Sequence, residues 1–292
     1  MKKILIIDGN ATAHRAKHTT GTMKYGGEYT GTIYGFFTQL FTMLKKYRPD
    51  LIAFAWDSKT SLRKEIYPEY KAKRVQAKKQ KSADEIVFDQ ACYEQFYEIQ
   101  EEILPAIGIV NNFKVAGYEG DDIIASICLC QNNSGHKIIA TSDNDMFQLL
   151  SDEVSIYDLR NKADFTAKDF TQAYHILPAQ WADVKILAGC TGDGVPGIKG
   201  VGIETAIKYV QGLLKPGYKT HTTIISNESD EIKERNKRLV VLPFKGTPII
   251  KLVPQYQLDL QKMKSLFMDY GFRSLCDKEK FDEWKILLKG EK

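Results

Sequence analysis

Three short apolar runs, KILIID, LIAFAWD and KIIATSD, each end on an aspartate: Asp8, Asp57 and Asp143. Runs of this length are too short for a buried helix and read as strands covered on both faces. VSIYDL, from Val154, adds a fourth strand, and IVNNF, from Ile109, a short fifth. Helical patterns separate them. Phe36, Phe37, Leu40, Phe41 and Leu44 share one face; a long helix runs from about Asp84 to Leu104 and stops near Pro105; another starts near Glu119 and continues through Ile123, Ile124 and Ile127. The alternation predicts an α/β fold with a mainly parallel central sheet, right-handed crossovers and helices on both faces. Open parallel sheets bind ligands beyond the carboxyl ends of their strands, so the three aspartates converge on one edge.

Near residue 178 the pattern turns mostly helical, with a glycine-rich break from Gly189 to Ala206, GCTGDGVPGIKGVGIETA. The reading is an α/β core over 1–177, with a basic stretch at about 58–84, and a helical part over 178–292 holding a helical hairpin at about 185–212. The polar segment Gly217 to Asp230 reads as a loop.

An aspartate at a strand end is ordinarily a helix cap or turn former. The set is harder to explain that way. Glu119, Asp121 and Asp122 open a helix, Asp145 follows Asp143 by two, and Asp193 sits in the glycine-rich turn. So many carboxylates at one edge repel one another unless cations neutralise them. Hard divalent ions, Mg2+ or Mn2+, suit oxygen donors, and two of them roughly 4 Å apart can activate a water and stabilise a leaving oxygen.

The net charge is +4, but nine Lys and Arg between Lys59 and Lys81 face only Glu65 and Glu69. That stretch is +7 and the rest of the chain −3. A local basic segment on a mildly acidic body guides a polyanion such as a nucleic-acid backbone to one place, although a solvated loop has the same composition.

Other chemistries are excluded or left weak. No apolar run approaches the roughly 20 residues of a membrane span, and Asp8 interrupts the opening run MKKILIIDGN too early for a signal peptide. Five cysteines, irregularly spaced and without CxxC, argue against a disulfide framework or zinc knuckle and for a reducing compartment; all but Cys190 read as ordinary buried thiols. GIKGVGIET lacks Gly-Lys-Ser/Thr and is no P-loop. His14 and His18 are one helical turn apart, but Arg15 stands where a zinc hydrolase needs Glu, so both read as structural.

In order, and over nearly the whole chain, these residues resemble the 5′ nuclease family: flap endonucleases, bacteriophage 5′–3′ exonucleases and the 5′ nuclease domain of bacterial DNA polymerase I. DGN at Asp8 looks like the first metal aspartate. Gly31, Tyr34, Gly35 and Phe36 are similar to the GxxYGF helix. FAWD at Asp57, Arg63 and YPEYKAKR (Tyr67 to Arg74) are similar to the base of the family's arch, and GYEGDD (Gly117 to Asp122) to its acidic motif. TSDNDMFQLL (Thr141 to Leu150), VPGIKGVGIETA (Val195 to Ala206) and FRSL (Phe272 to Leu275) resemble the second acidic motif, the DNA clamp and the C-terminal end.

The resemblance implies a PIN-like fold with a basic helical arch and a helix–three-turn–helix clamp. It implies a Mg2+-dependent hydrolase of replication or repair, a 5′–3′ exonuclease and flap endonuclease leaving 5′-phosphate and 3′-hydroxyl ends. Asp8, Asp57, Glu119, Asp121 and Asp122 would serve one metal position, and Asp143, Asp145 and Asp193 the other, with Asp143 near both. Lys71 and Arg74 would reach the scissile phosphate, with Asp8, Asp57 and Glu119 counted as catalytic through the metal. Arg15, Arg63, Tyr70 and Lys185 would touch DNA; Gly197, Lys199, Gly200, Gly202 and Thr205 would hold duplex at the clamp, with K+ at its turn. Substrates would be flap, nicked or overhanging DNA, or an RNA–DNA hybrid. The expectation is a monomer in the cytoplasm of a bacterium or phage-infected cell, free-standing because no polymerase part follows.

Two positions depart from the family pattern. Cys190 stands where a second-position aspartate is expected, and thiolate is a poor Mg2+ ligand, so a weaker second ion follows. Glu204 replaces a clamp lysine. Two alternatives stay open: a branched-DNA binding protein with little catalysis, and an RNase-H-like activity on RNA primers.

Overall fold

The computed structural model describes residues 2–254 and 257–289; the side chains of residues 75, 77–79 and 289, Lys78 and Lys79 of the basic stretch among them, also fall outside the description. The first half runs β1 (Lys3–Asp8), α1 (Gly9–Thr20), a hairpin of β2 (Lys24–Tyr25) and β3 (Glu28–Tyr29), α2 (Gly31–Tyr47), β4 (Leu51–Trp56), α3 (Arg63–Ile66), α4 (Ala72–Lys79) and α5 (Ala83–Tyr97). It continues through α6 (Leu104–Ala106), β5 (Asn112–Lys114), α7 (Gly120–Leu129), β6 (His136–Thr141), β7 (Val154–Asp158) and β8 (Ala163–Phe165). The remainder holds α8 (Ala167–Tyr174), α9 (Trp181–Ala188), β9 (Gly189–Cys190), β10 (Val195–Pro196), α10 (Ile203–Val210), α11 (Lys219–Ile224), α12 (Glu228–Val240), α13 (Leu260–Asp269), α14 (Arg273–Cys276) and α15 (Lys278–Lys289).

The six-stranded sheet has the order β5-β4-β1-β6-β7-β8. Every pairing in it is parallel except that of β8, which lies antiparallel on β7. The central strands are apolar throughout because both faces are covered. Leu5, Ile7, Phe54, Trp56 and Ile138 join one core with Phe36 and Phe37 of α2 and Phe96 of α5. Their alternates Ile4, Ile6, Ala53, Ala55 and Ile139 join a second core with Ile123 and Ile124 of α7. A fully buried side chain of this size contributes about 1.5–3 kcal/mol. This mostly parallel α/β architecture is the expected fold class.

The later helices share these two cores. Val184 of α9, Ala206 of α10 and Ile224 of α11 belong to the second, while Phe267, Phe272, Leu275 and Trp284 return the chain to the first, beside α2. One local reading changes. Segment 217–230 is not all loop: it holds α11 and the start of α12. Hydroxyls stabilise it where an apolar face is missing, Ser226 and Ser229 both donating to the Thr223 carbonyl at 2.8 and 2.6 Å. The long helix does end beside Pro105, at Ala106, after a π-helical stretch, Glu98–Ile103, that carries α5 into α6. Among the described residues no helix is long and apolar enough to cross a membrane.

Candidate active site

The carboxyl ends of β1, β4 and β6 are adjacent, because β1 pairs with both neighbours: Asp8 lies opposite Ala55, and Ile7 opposite Ala140. There a cleft of about 430 Å³ is lined by Asp8, Asp57, Asp121, Asp143, Asp145 and Asp193, with Lys71, Arg74, Arg160, Lys185 and Cys190. Each acid is placed by its own backbone. Asp8 caps α1, its Oδ1 accepting from the Ala11 amide at 2.8 Å and its Oδ2 from the Thr141 hydroxyl at 2.7 Å. Asp57 Oδ1 accepts from the Gly120 amide at 2.7 Å, fixing the start of α7 against β4. Asp143 caps the 3-10 turn Asn144–Leu149, accepting from the Asp145 amide at 2.8 Å.

The acids fall into two electrostatic classes. Glu119, Asp145 and Asp193 already have cations: Lys71 is 3.0 Å from Glu119, Lys185 2.7 Å from Asp145, and Arg74 2.6 Å from Asp193. Burial works against the charge of Glu119, but Lys71 and Arg63 outweigh it and hold this carboxyl below its ordinary value. The other class is undercompensated. Burial first, then Asp57 and Asp143, push Asp8 up to about 7. Asp121 is held well above the carboxylate range by burial and by Asp143, Asp8 and Asp57. Burial also raises Asp57 and Asp143, with Lys71 opposing it at Asp57 and Asp145 adding to it at Asp143. A hard divalent cation would remove that repulsion, but among the described residues no three of these four acids bring ligand atoms within 4.8 Å of one another, so such an ion would have to draw them together.

The neighbouring group is different. One ligand atom each from Asp145, Cys190 and Asp193 lie within 4.8 Å of one another. The Cys190 thiol donates toward Asp145 Oδ2 at 3.6 Å, and burial together with Asp145 and Asp193 pushes it up to about 12. The remaining four cysteines are buried and unpaired, as expected.

Several sequence-assigned residues lie elsewhere. Asp122 is fully buried and does not line the cleft. It accepts both guanidinium nitrogens of Arg63, at 2.6 and 2.8 Å, and the Phe244 amide at 2.8 Å. Its oxygens are therefore spent on structure, which corrects the metal-ligand expectation. Arg63 is correspondingly 3% exposed and also donates to the Leu239 carbonyl, so it is a buttress and not a DNA contact. Tyr70, 3% exposed, donates to Glu119 at 2.9 Å and Asp193 at 3.1 Å, so its ring is closed to a nucleic acid. Glu119 sits behind Lys71 rather than on the cleft wall. Arg15 faces a separate small cavity with Thr38, Tyr157 and Lys162.

At the helical hairpin, Lys199, Gly200 and Gly202 are exposed, and Gly202 caps α10, whose first turn carries Thr205. Gly200 takes φ +80° with open space around it. Gly197 is instead a packing glycine, since a Cβ there would meet the Ala188 backbone at 2.2 Å.

Sequence reasoning missed Asn10, His14, Asn144 and Arg160, which also line the cleft. Arg160 donates to the Ser142 carbonyl at 2.7 Å. It stands two residues past β7, as Asn10 stands two past β1, so the strand-end rule applied to polar residues of any charge finds both. His14 is structural only in part: its ring meets Phe96 edge-on at 4.9 Å, and it also faces the cleft.

Residues 3–175 match the family model for the 5′–3′ exonuclease N-terminal resolvase-like domain. The chain is 31% identical over 301 residues to DNA polymerase I of Mycobacterium leprae, covering 94% of this chain and 31% of that protein. It thus spans about a fifth to a third of the length of the curated relatives it matches. Two bacteriophage T5 structures share its fold at 21% identity and TM-score 0.72. The T5 5′-exonuclease with bound zinc covers 98% of this chain and 100% of that one; the T5 D15 flap endonuclease complex with DNA and metal ions covers 98% and 99%.

Proposed function

The chain belongs to the family of 5′–3′ exonucleases defined by that N-terminal resolvase-like domain, and from this premise we propose that it is a divalent-metal-dependent 5′ nuclease acting on flap, nicked or overhanging DNA. The observation that carries the reading is the undercompensated set Asp8, Asp57, Asp121 and Asp143 in one cleft with Lys71, Arg74, Lys185 and Arg160. Those four acids would hold Mg2+ or Mn2+. The ion, when bound, supplies an activated water and stabilises charge on the leaving oxygen.

The side chains divide the remaining work. Lys71 and Arg74, at the start of α4, face the cleft, paired with Glu119 and Asp193, and in this reading they form the base of the arch. Backbone phosphate entering the cleft exchanges those partners for its own oxygens, and the two cations then stabilise the negative charge that grows on it. Burial opposes the charge on Lys71, yet Glu119 and Asp193 hold it above the ordinary lysine range, so it stays an ammonium at working pH. Arg63 and Asp122 keep Glu119 in place behind it. Lys185 and Arg160 extend the positive wall on the other side, and the exposed turn Lys199–Gly202 offers amides and a lysine to a duplex backbone. K+ at that turn belongs to the same proposal, and stronger duplex binding in K+ than in Na+ tests it.

The main test is a 5′-labelled flap incubated with purified protein. Mg2+-dependent release of short products with 5′-phosphate and 3′-hydroxyl ends is expected. Intact flap, nick and overhang substrates in both Mg2+ and Mn2+ would refute the proposal. Cys190 favours one second reading, a branched-DNA binding protein with slow turnover, which predicts tight flap binding in Ca2+ and negligible cleavage in Mg2+. The same flap with a ribonucleotide 5′ segment reads out activity on RNA–DNA hybrids.

A further inference from the structure

The metal chemistry of this family implies two neighbouring positions, and the second has a donor set here that does not fit Mg2+. Mg2+ demands near-octahedral oxygen coordination at about 2.0–2.1 Å. Asp145, Cys190 and Asp193 offer two carboxylates and a sulfur, from the turn after β6, the end of β9 and the turn between β9 and β10. Both carboxylates are also partly satisfied by the protein. Lys185, only 12% exposed, places its ammonium 2.7 Å from Asp145, and Arg74 lies 2.6 Å from Asp193. A weakly bound hard ion has to displace these cations and gains no sulfur bond in return.

A borderline ion meets the same groups on better terms. Zn2+ binds sulfur at about 2.3 Å and carboxylate oxygen at about 2.0–2.2 Å in a tetrahedron, which places ligand atoms roughly 3.5 Å apart. Cys190 Sγ and Asp145 Oδ2 are already 3.6 Å apart, and Asp193 closes the group within 4.8 Å. Sulfur-containing sites prefer Zn2+ and Co2+ over Mg2+ by ligand softness.

We propose that Asp145, Cys190 and Asp193 form a site for a thiophilic divalent ion, Zn2+ or Co2+, anchored by sulfur, while Mg2+ takes the Asp8–Asp57–Asp121–Asp143 position. The proposal rests on the nuclease reading for the Mg2+ position but not for the sulfur site itself. On binding, the Cys190 S–H bond breaks, its proton leaves to solvent, and the retained electron pair forms the sulfur–metal bond. Lys185 releases Asp145, and the fourth ligand is a water or a substrate phosphate oxygen. The chain would then carry two unlike ions, with occupancy of the second set by zinc rather than magnesium supply.

Titration of the metal-free protein with Co2+ tests this directly. The expected result, whatever Co2+ also enters the carboxylate position, is a thiolate-to-cobalt charge-transfer band that saturates at one sulfur-bound Co2+ per chain, retained in excess Mg2+ and removed by Zn2+. Cys190→Ser should abolish the band and weaken Zn2+ binding at least about tenfold, or about 1.4 kcal/mol, by calorimetry. Wild-type protein without the band, a band that survives Cys190→Ser, or loss of the band to Mg2+ at equal concentration each overturns the proposal. The wild-type spectrum decides even if the variant does not fold. Flap cleavage in Mg2+ is scored separately: cleavage without the band refutes the sulfur site alone, and the band without cleavage refutes the nuclease reading alone.

Discussion

Asp8→Asn should stabilise the metal-free protein at alkaline pH while removing most of its response to Mg2+. Asp8 titrates from 3.8 in an unfolded chain to about 7 in the fold, because it is buried beside Asp57 and Asp143. The folded state thus binds the proton more tightly. This contribution is fully present below about pH 4 and is lost as pH rises through about 7. Three pKa units correspond to about 4 kcal/mol. The amide keeps the Ala11 contact but must reorient the Thr141 hydroxyl, which costs about 1 kcal/mol. A net gain of about 3 kcal/mol at about pH 8 remains, or roughly 6 °C in melting temperature for a chain of this size. The assay is thermal unfolding in EDTA, followed by circular dichroism, for wild type and variant at about pH 5 and about pH 8, with and without Mg2+. Wild type should gain much more from Mg2+ at the higher pH, and the variant should gain little at either. If metal-free Asp8→Asn melts no higher than wild type at about pH 8, the reasoning about undercompensated carboxylates is wrong.

Three further outcomes follow from the same geometry. Arg63→Ala leaves the Asp122 carboxylate buried without its guanidinium and should cost about 3–5 kcal/mol in urea unfolding; a loss under 1 kcal/mol would mean that the pair is not the clamp between α3 and α7. Lys71→Ala should lower the single-turnover rate of flap cleavage by about 10²–10³, read in rapid-quench experiments with saturating enzyme. Arg160→Ala should weaken DNA binding and reduce the slope of log affinity against log salt by about one, measured by fluorescence anisotropy, since it removes one phosphate contact.

The sheet and the location of the site were legible because one physical cause wrote both. Strands covered on two faces must be continuously apolar, so the first acidic residue after each lies at or just past its carboxyl end, and Asp8, Asp57 and Asp143 stand there. Elements with no apolar signature were not legible. The β2–β3 hairpin is two residues a side, α11 reaches the core through Ile224 alone and is otherwise held by hydroxyls, and β8 is a three-residue edge. The roles of Asp122, Arg63 and Tyr70 were misread for a related reason. An ionic or phenolic side chain in a motif looks the same whether it faces a ligand or another motif residue, and only the packing shows that Arg63 faces Asp122 and Tyr70 faces Glu119. Arg160 was missed because the strand-end rule had been applied to acids alone.

The arch base and the glycine-rich turn are joined by more than charge. Lys71 holds the left-handed φ of +58°, which costs a non-glycine residue of order 1–3 kcal/mol. That backbone is fixed by the Lys71 amide donating to the Asp193 carbonyl at 2.7 Å, while the neighbouring Tyr70 hydroxyl reaches both Glu119 and Asp193. The consequence is a division of labour within single residues. The main chain of Asp193 positions Lys71, and the side chain of Asp193 balances Arg74. A ligand that takes the carboxylate of Asp193 would free Arg74 for phosphate and remove one partner of the Lys71 ammonium, while the main-chain bond to the Asp193 carbonyl still holds the Lys71 backbone. An ion at the proposed sulfur-containing group would therefore be linked through this one residue to Arg74 and Lys71, and its occupancy would change how much positive charge they present to a nucleic-acid backbone.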